Sequence, residues 1–201
     1  MALPATETFT GTDTTSPPNA NWTNKTNGIS IQTNGFRGNA SAVNGAFWNA
    51  DTFNDKHYAK AKAVALAAGN SRGPAIRVQT GAANSLYYCL RDNDGKTYNG
   101  ELIAGSPTDW DAGLTAPALG TVLELHVDAT TATTIVYKEA GVTKATYTGK
   151  SALSGGAAGV SAYEAGTTSY GDDWEGGNVA VAGGTILPQM LQQGLYTGGA
   201  R

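Results

Sequence analysis

Cys89 is the only cysteine among the 201 residues, so no disulfide can form within the chain and a small secreted disulfide scaffold is excluded. No apolar run approaches the ~18 residues that a membrane-spanning helix needs. Histidine is scarce: His57 and His126 are the only two. A Ser/His/Asp triad and a histidine-based metal site are both poorly supplied. Charged side chains make up 14% of the chain, against a usual ~25%. The net charge of −3 provides no basic field to draw phosphates, so neither nucleic acid nor an acidic membrane surface is an expected partner. The N-terminus, Met1-Ala2-Leu3-Pro4-Ala5-Thr6-Glu7, has neither the basic segment nor the roughly 7–15 apolar residues of a secretion signal, which predicts a chain made and folded in a cytoplasm.

Glycine, by contrast, is abundant at 27 residues, about twice the usual share of ~7%. Short runs of alternating apolar residues lie between the turns that these glycines make. In Leu123-Glu124-Leu125-His126-Val127 the leucines and valine point one way and Glu124 and His126 the other, the period of two of a half-buried strand. Residues 1–45 read as short strands anchored by Phe9, Trp22, Ile29, Ile31 and Phe36. Residues 58–68 pose a conflict, because Lys60 to Ala68 is rich in helix formers. Alternation favours a strand, with Ala59, Ala61, Ala63 and Ala65 forming a small-residue face. Ser85–Arg91 and Lys96–Ala104 flank Asp92-Asn93-Asp94-Gly95, a strong hairpin signal. Further strands recur about every ten residues to residue 181, the spacing of an all-β sandwich, and Cys89 is expected as a packed thiol within one of them.

The order of these pieces resembles that of concanavalin A-like (laminin G-like) jelly-roll domains over roughly residues 6–181. The resemblance rests on Gly73-Pro74-Ala75-Ile76-Arg77-Val78 and Tyr87-Tyr88 before a hairpin, then on Leu123-Glu124-Leu125-His126-Val127 and Thr134-Ile135-Val136-Tyr137-Lys138 before Gly141. It ends on Gly155-Gly156-Ala157-Ala158-Gly159-Val160 and a last strand opened by Asp172-Asp173-Trp174. It implies an antiparallel two-sheet sandwich over residues 1–181, in a class whose members bind glycans, hydrolyse them or serve as structural modules on extracellular and viral particles. Fold alone does not choose among these.

Retaining glycosidases of that class resemble one another in a Glu-x-Asp-x-Glu strand. The nearest stretch here is Glu124-Leu125-His126-Val127-Asp128, which departs at the middle and last positions. Backbones four residues apart in a strand are separated by about 13 Å, whereas a retaining pair of carboxyls sits ~5–5.5 Å apart. The expectation is a non-enzymatic protein. Oxygen-rich stretches at Asp92-Asn93-Asp94, Asp109-Trp110-Asp111 and Asp172-Asp173 leave room for a structural calcium without naming ligands; no other cofactor or metal is expected.

Rings flanked by amides or carboxylates can hold a sugar by stacking and hydrogen bonding. Trp110 between Asp109 and Asp111 leads this group, with Trp48 and Trp174 beside it and Tyr87, Tyr98, Tyr163 and Tyr170 as further candidates. The strand pattern then stops, and residues 182–201 carry Ile186, Leu187, Met190, Leu191, Leu195 and Tyr196. A segment so apolar is expected to dock on a partner surface. Together these features predict a structural or interaction protein of a larger particle, a phage virion component docking on other particle proteins and on copies of itself. Carbohydrate binding is the alternative, and glycoside hydrolysis a distant third.

Overall fold

The computed structural model describes residues 3–163 and 168–180, which contain sixteen strands and no helix. In chain order they are β1 (Ala5–Glu7), β2 (Trp22–Lys25), β3 (Ile29–Gln32), β4 (Gly35–Gly38), β5 (Val43–Trp48), β6 (His57–Ala65), β7 (Ser71–Val78) and β8 (Leu86–Asp92). They continue as β9 (Lys96–Ile103), β10 (Ser106–Asp109), β11 (Leu114–Thr115), β12 (Val122–Val127), β13 (Ile135–Glu139), β14 (Val142–Tyr147), β15 (Ala157–Tyr163) and β16 (Tyr170–Asn178). The docking segment 182–201 lies outside the described residues.

Two antiparallel sheets result, each of eight strands among the described residues. The first runs β14-β13-β12-β6-β16-β4-β3 with β1 on β16; the second runs β10-β9-β8-β7-β15-β5-β2 with β11 on β9. The sandwich expected from the turn spacing is the fold observed. β6 is a strand, as its alternation requires: Ala59, Ala61 and Ala63 are buried while Tyr58, Lys60 and Lys62 line the outer face. Tertiary pairing with β12 and β16 overrides the helical propensity of its alanines and lysines.

The core between the sheets centres on three tryptophans. Trp22 meets Trp174 edge-on at 4.9 Å between ring centroids and Trp48 at 5.6 Å, and Trp48 stacks on Trp174 at 5.4 Å. Phe9, wedged between Trp22 and Phe36, closes one side. A second device joins the sheets near the opening of β6. His57 is wholly buried, its Nδ1 2.7 Å from the Asn54 carbonyl oxygen, and its Nε2 accepts the backbone N–H of Arg77 at 2.9 Å. The Arg77 guanidinium is buried as well and donates to the carbonyl oxygens of Leu153 and, at 2.6 Å, Ala132. Cys89 is buried and its thiol is raised well above the usual range by that burial, the packed thiol expected from its strand.

Where β7 meets β8, Gly73 leaves no room for a side chain: a Cβ there would lie 2.0 Å from the backbone oxygen of Cys89. Backbone on both sides cannot yield without breaking the ladder, so Gly73→Ala is expected to lower stability by about 2 kcal/mol or more. A shift of the urea midpoint at unchanged m-value would register it.

Candidate functional site

The site is built on the outer face of the second sheet. In an antiparallel ladder, directly opposed residues project to the same face, and two such rows cross this sheet. One runs Asp92–Ser71–Tyr163–Val43 over β8, β7, β15 and β5. The other runs Tyr88–Gly100–Asp109 over β8, β9 and β10. At its centre Gly100 has no side chain, and a Cβ would stand 2.5 Å from the Tyr88 hydroxyl. The Tyr88 phenol therefore lies across β9 and donates to Asp109 Oδ1 at 2.8 Å. Burial, and then the bond to Asp109, raise the Tyr88 hydroxyl well above the ordinary tyrosine range.

These rows and the β8–β9 hairpin enclose a hollow of about 340 Å³ lined by Tyr88, Leu90, Asp92, Asp94, Tyr98, Asp109 and Tyr163, with Val43, Ser71 and Pro107 completing it. Such a volume falls in the range of small-molecule sites. Leu90 and Tyr88, 5% and 2% exposed, form the floor. Tyr98 donates to Asp94 Oδ2 at 2.7 Å, a bond that with some burial pushes its hydroxyl up to about 12. Asp92 is held above the usual carboxylate range, chiefly by burial. A second hollow shares Val43, Pro107 and Tyr163 with the first and reaches Thr26 and Asn27, and a third continues from those two residues to Asn24, Lys25, Asn39 and Asn84. The first two adjoin on this face as one groove; the third lies at the sheet edge, where Asn24 stands opposite buried Ala46 and accepts from Ile29 N of the first sheet at 2.9 Å.

Of the residues picked out from the sequence, Asp109, Tyr98 and Tyr163 converge here. Trp110 does not, because alternation turns it to the opposite face from Asp109. It packs between Tyr87 and Tyr147, 5.1 and 5.0 Å away, with Lys150 Nζ 4.7 Å from its ring centroid. Asp111 accepts hydrogen bonds from the Tyr147 hydroxyl and from Gly113 N at 2.9 Å. Trp48 and Trp174 are corrected from sugar platforms to core residues: at 2% and 1% exposure neither has a ring face to present. Tyr87 is likewise buried, and Tyr170 belongs to the first sheet. Sequence reasoning missed Tyr88, Leu90 and Ser71, and it read Asp92 and Asp94 only as a turn or a calcium loop.

The carboxylates of the glycosidase-like stretch sit on the other sheet. Glu124 Oε1 is 2.8 Å from His126 Nδ1 and 3.4 Å from Lys138 Nζ. Burial alone would raise its carboxyl, but the His126 bond and the Lys138 charge outweigh that and hold it low. Asp128 accepts from Thr130 Oγ1 and from the N–H groups of Thr130 and Thr131, which pull it down to about 2. It is bound into its own turn. Among the described residues no three His, Cys, Asp or Glu side chains converge as a metal ion requires. Asp92 and Asp94 are likewise engaged by backbone N–H groups of their hairpin, and no ligand set emerges for the calcium that the sequence left open.

No protein-family model matches the sequence, and no curated protein matches it significantly. Solved structures do match the fold. A carbohydrate-binding module, CBM66 from Bacillus subtilis, superposes with a TM-score of 0.56 at 11% identity over 76% of this chain and 91% of its own. A prokaryotic β-1,3-1,4-glucanase (lichenase) derived from a mouse hindgut metagenome gives 0.53 at 12% over 87% and 98%, and the Bacillus licheniformis β-glucanase 0.50 at 12% over 88% and 98%. At such identities the likeness establishes the fold, a concanavalin A-like jelly roll, as the resemblance implied.

Proposed function

We propose that the protein binds carbohydrate, without turnover, in the groove on the outer face of its second sheet. One observation carries the reading: tyrosine rings and carboxylates from four strands and the β8–β9 turn line the same hollow. Sugars present apolar faces ringed by hydroxyls, so they are held by aromatic surface together with acceptors at its rim. Tyr163, 39% exposed, and the half-buried Tyr98 supply surface. Asp109 and Asp94, already accepting one phenolic hydroxyl each, keep lone pairs for ligand hydroxyls. The carbohydrate-binding module among the fold's neighbours supports the reading by analogy only. Binding without turnover is favoured by the engagement of Glu124 and Asp128 away from this groove. The virion expectation rests on the absent signal, disulfides and catalytic residues together with the apolar segment 182–201, which lies outside the described residues, whereas the groove lies within the described fold and carries the proposal.

Affinity electrophoresis and calorimetry against a panel of soluble polysaccharides test it. Tyr98→Ala and Tyr163→Ala are each expected to weaken binding about ten-fold, equivalent to ~1.4 kcal/mol, while Trp110→Ala leaves it unchanged. Retention that survives both tyrosine changes, or that vanishes only in Trp110→Ala, refutes the groove as the site. Release of reducing ends from any bound glycan would overturn the claim that binding proceeds without turnover.

A further inference from the structure

The groove is electrically lopsided. One end is lined by Asp92, Asp94 and Asp109 and, among the described residues, by no lysine, arginine or histidine, while the hollow at the sheet edge is lined by Lys25 among the amides of Asn24, Asn27, Asn39 and Asn84. On the first sheet, by contrast, four carboxylates are paired with lysine. Glu175 pairs with Lys60 at 2.8 Å, Asp173 with Lys62 at 2.5 Å, Glu124 with Lys138 at 3.4 Å and Glu139 with Lys144 at 3.3 Å. The three groove carboxylates enter no ion pair among the described residues; their hydrogen bonds come from neutral phenols and backbone N–H groups.

The neighbouring cations donate to carbonyl oxygens, buried Arg72 to those of Ser71 and Tyr163 at 2.8 Å each. Arg91 donates to the backbone oxygen of Asp92 at 2.6 Å and to that of Pro117, and Lys96 Nζ reaches the oxygen of Ala112 at 3.4 Å. None of these cations lines the hollow. Three carboxylates thus face the same space as Tyr88, Tyr98 and Tyr163. Ring faces attract cations through their quadrupole, and the adjacent carboxylates attract them by charge. A uronic acid or sulfated sugar would be repelled from this end.

Resting on the proposal that the groove binds glycans, we infer that its acidic end selects an amino sugar with a free, protonated amine. The ligand class is a glycan containing glucosamine-type residues, oriented with its cationic unit toward Asp92, Asp94 and Asp109 and its neutral units toward Thr26 and Asn27. Asp94 and Asp109 are exposed at the rim, so their replacement by asparagine leaves the core untouched.

Isothermal titration at pH 6 compares oligomers of glucosamine with N-acetylglucosamine oligomers of equal length, on the wild-type protein and on Asp94→Asn/Asp109→Asn. The free-amine form is expected to bind at least ten-fold more tightly, to lose most of that advantage in the double variant, and to weaken when salt is raised to screen it. Equal or tighter binding of the N-acetylated form, or a preference that survives the double variant, overturns the inference and leaves the glycan reading standing. Failure of both oligomers and of the polysaccharide panel, with Tyr98→Ala and Tyr163→Ala without effect on anything, removes the glycan reading itself.

Discussion

Replacing Trp174 by alanine is expected to destabilise the protein by about 4 kcal/mol, the range seen when a large buried aromatic is truncated. The indole is 1% exposed, touches Trp22 and Trp48, and donates its Nε1–H to the Gly159 carbonyl oxygen at 2.9 Å. Its loss opens a cavity between the sheets and orphans a buried acceptor. Chemical unfolding followed by far-ultraviolet circular dichroism measures the change without relying on tryptophan emission. Unaltered stability would mean that the ring is dispensable to the core and would return Trp174 to the list of glycan platforms.

Acid is expected to weaken the fold through His57. Burial depresses its pKa from 6.5 to about 4, opposed in part by the Asn54 carbonyl and, more weakly, Asp55, and helped by the nearby Arg77 charge. With its Nε2 accepting from Arg77 N and its Nδ1 facing the Asn54 oxygen, the neutral tautomer fits and the imidazolium does not. A group whose folded pKa is depressed contributes stability above its unfolded pKa, lost as pH falls toward the folded value. The window is therefore about pH 6.5 to 4, and between pH 7 and 4.5 the protein is expected to lose about 2–3 kcal/mol. Glu124, Glu175 and Asp128, all held low, add losses of the same sign chiefly below that window. Asp92 and Asp172, raised mainly by burial, act in the opposite direction. In His57→Gln the loss over the same interval is expected to shrink to under about 1 kcal/mol, although the variant starts less stable. Urea midpoints at pH 7, 6, 5 and 4.5 decide it: a wild-type protein with a flat profile contradicts the assignment.

Much of the fold was legible in the residues one strand at a time. The alanine face of β6 declared a strand against its own helix propensity, and Asp92-Asn93-Asp94-Gly95 declared the hairpin between β8 and β9. The anchors Phe9, Trp22, Ile29, Ile31 and Phe36 are all buried as read. The site was legible only in fragments. Asp109, Tyr98 and Tyr163 were marked by their chemistry, but so were Trp48, Trp174 and Tyr87, which serve the core. The failure has a specific source in β8, where Leu86, Tyr87, Tyr88, Cys89 and Leu90 are all apolar and all buried. A period of two says that Tyr88 and Leu90 share a face; it cannot say whether that face meets the other sheet or a groove.

By itself, then, the sequence determined an all-β chain without disulfides, its strand periods and turns, and the poor supply of triad and metal chemistry. Those are local properties, set by alternation, turn chemistry and the inventory of side chains. Only the tertiary structure decided which ring is core and which is surface, and it alone gathered Val43, Ser71, Asp92, Asp109 and Tyr163 into one hollow. Those residues are far apart in the chain and meet through antiparallel registers, whose long-range pairing no local pattern specifies.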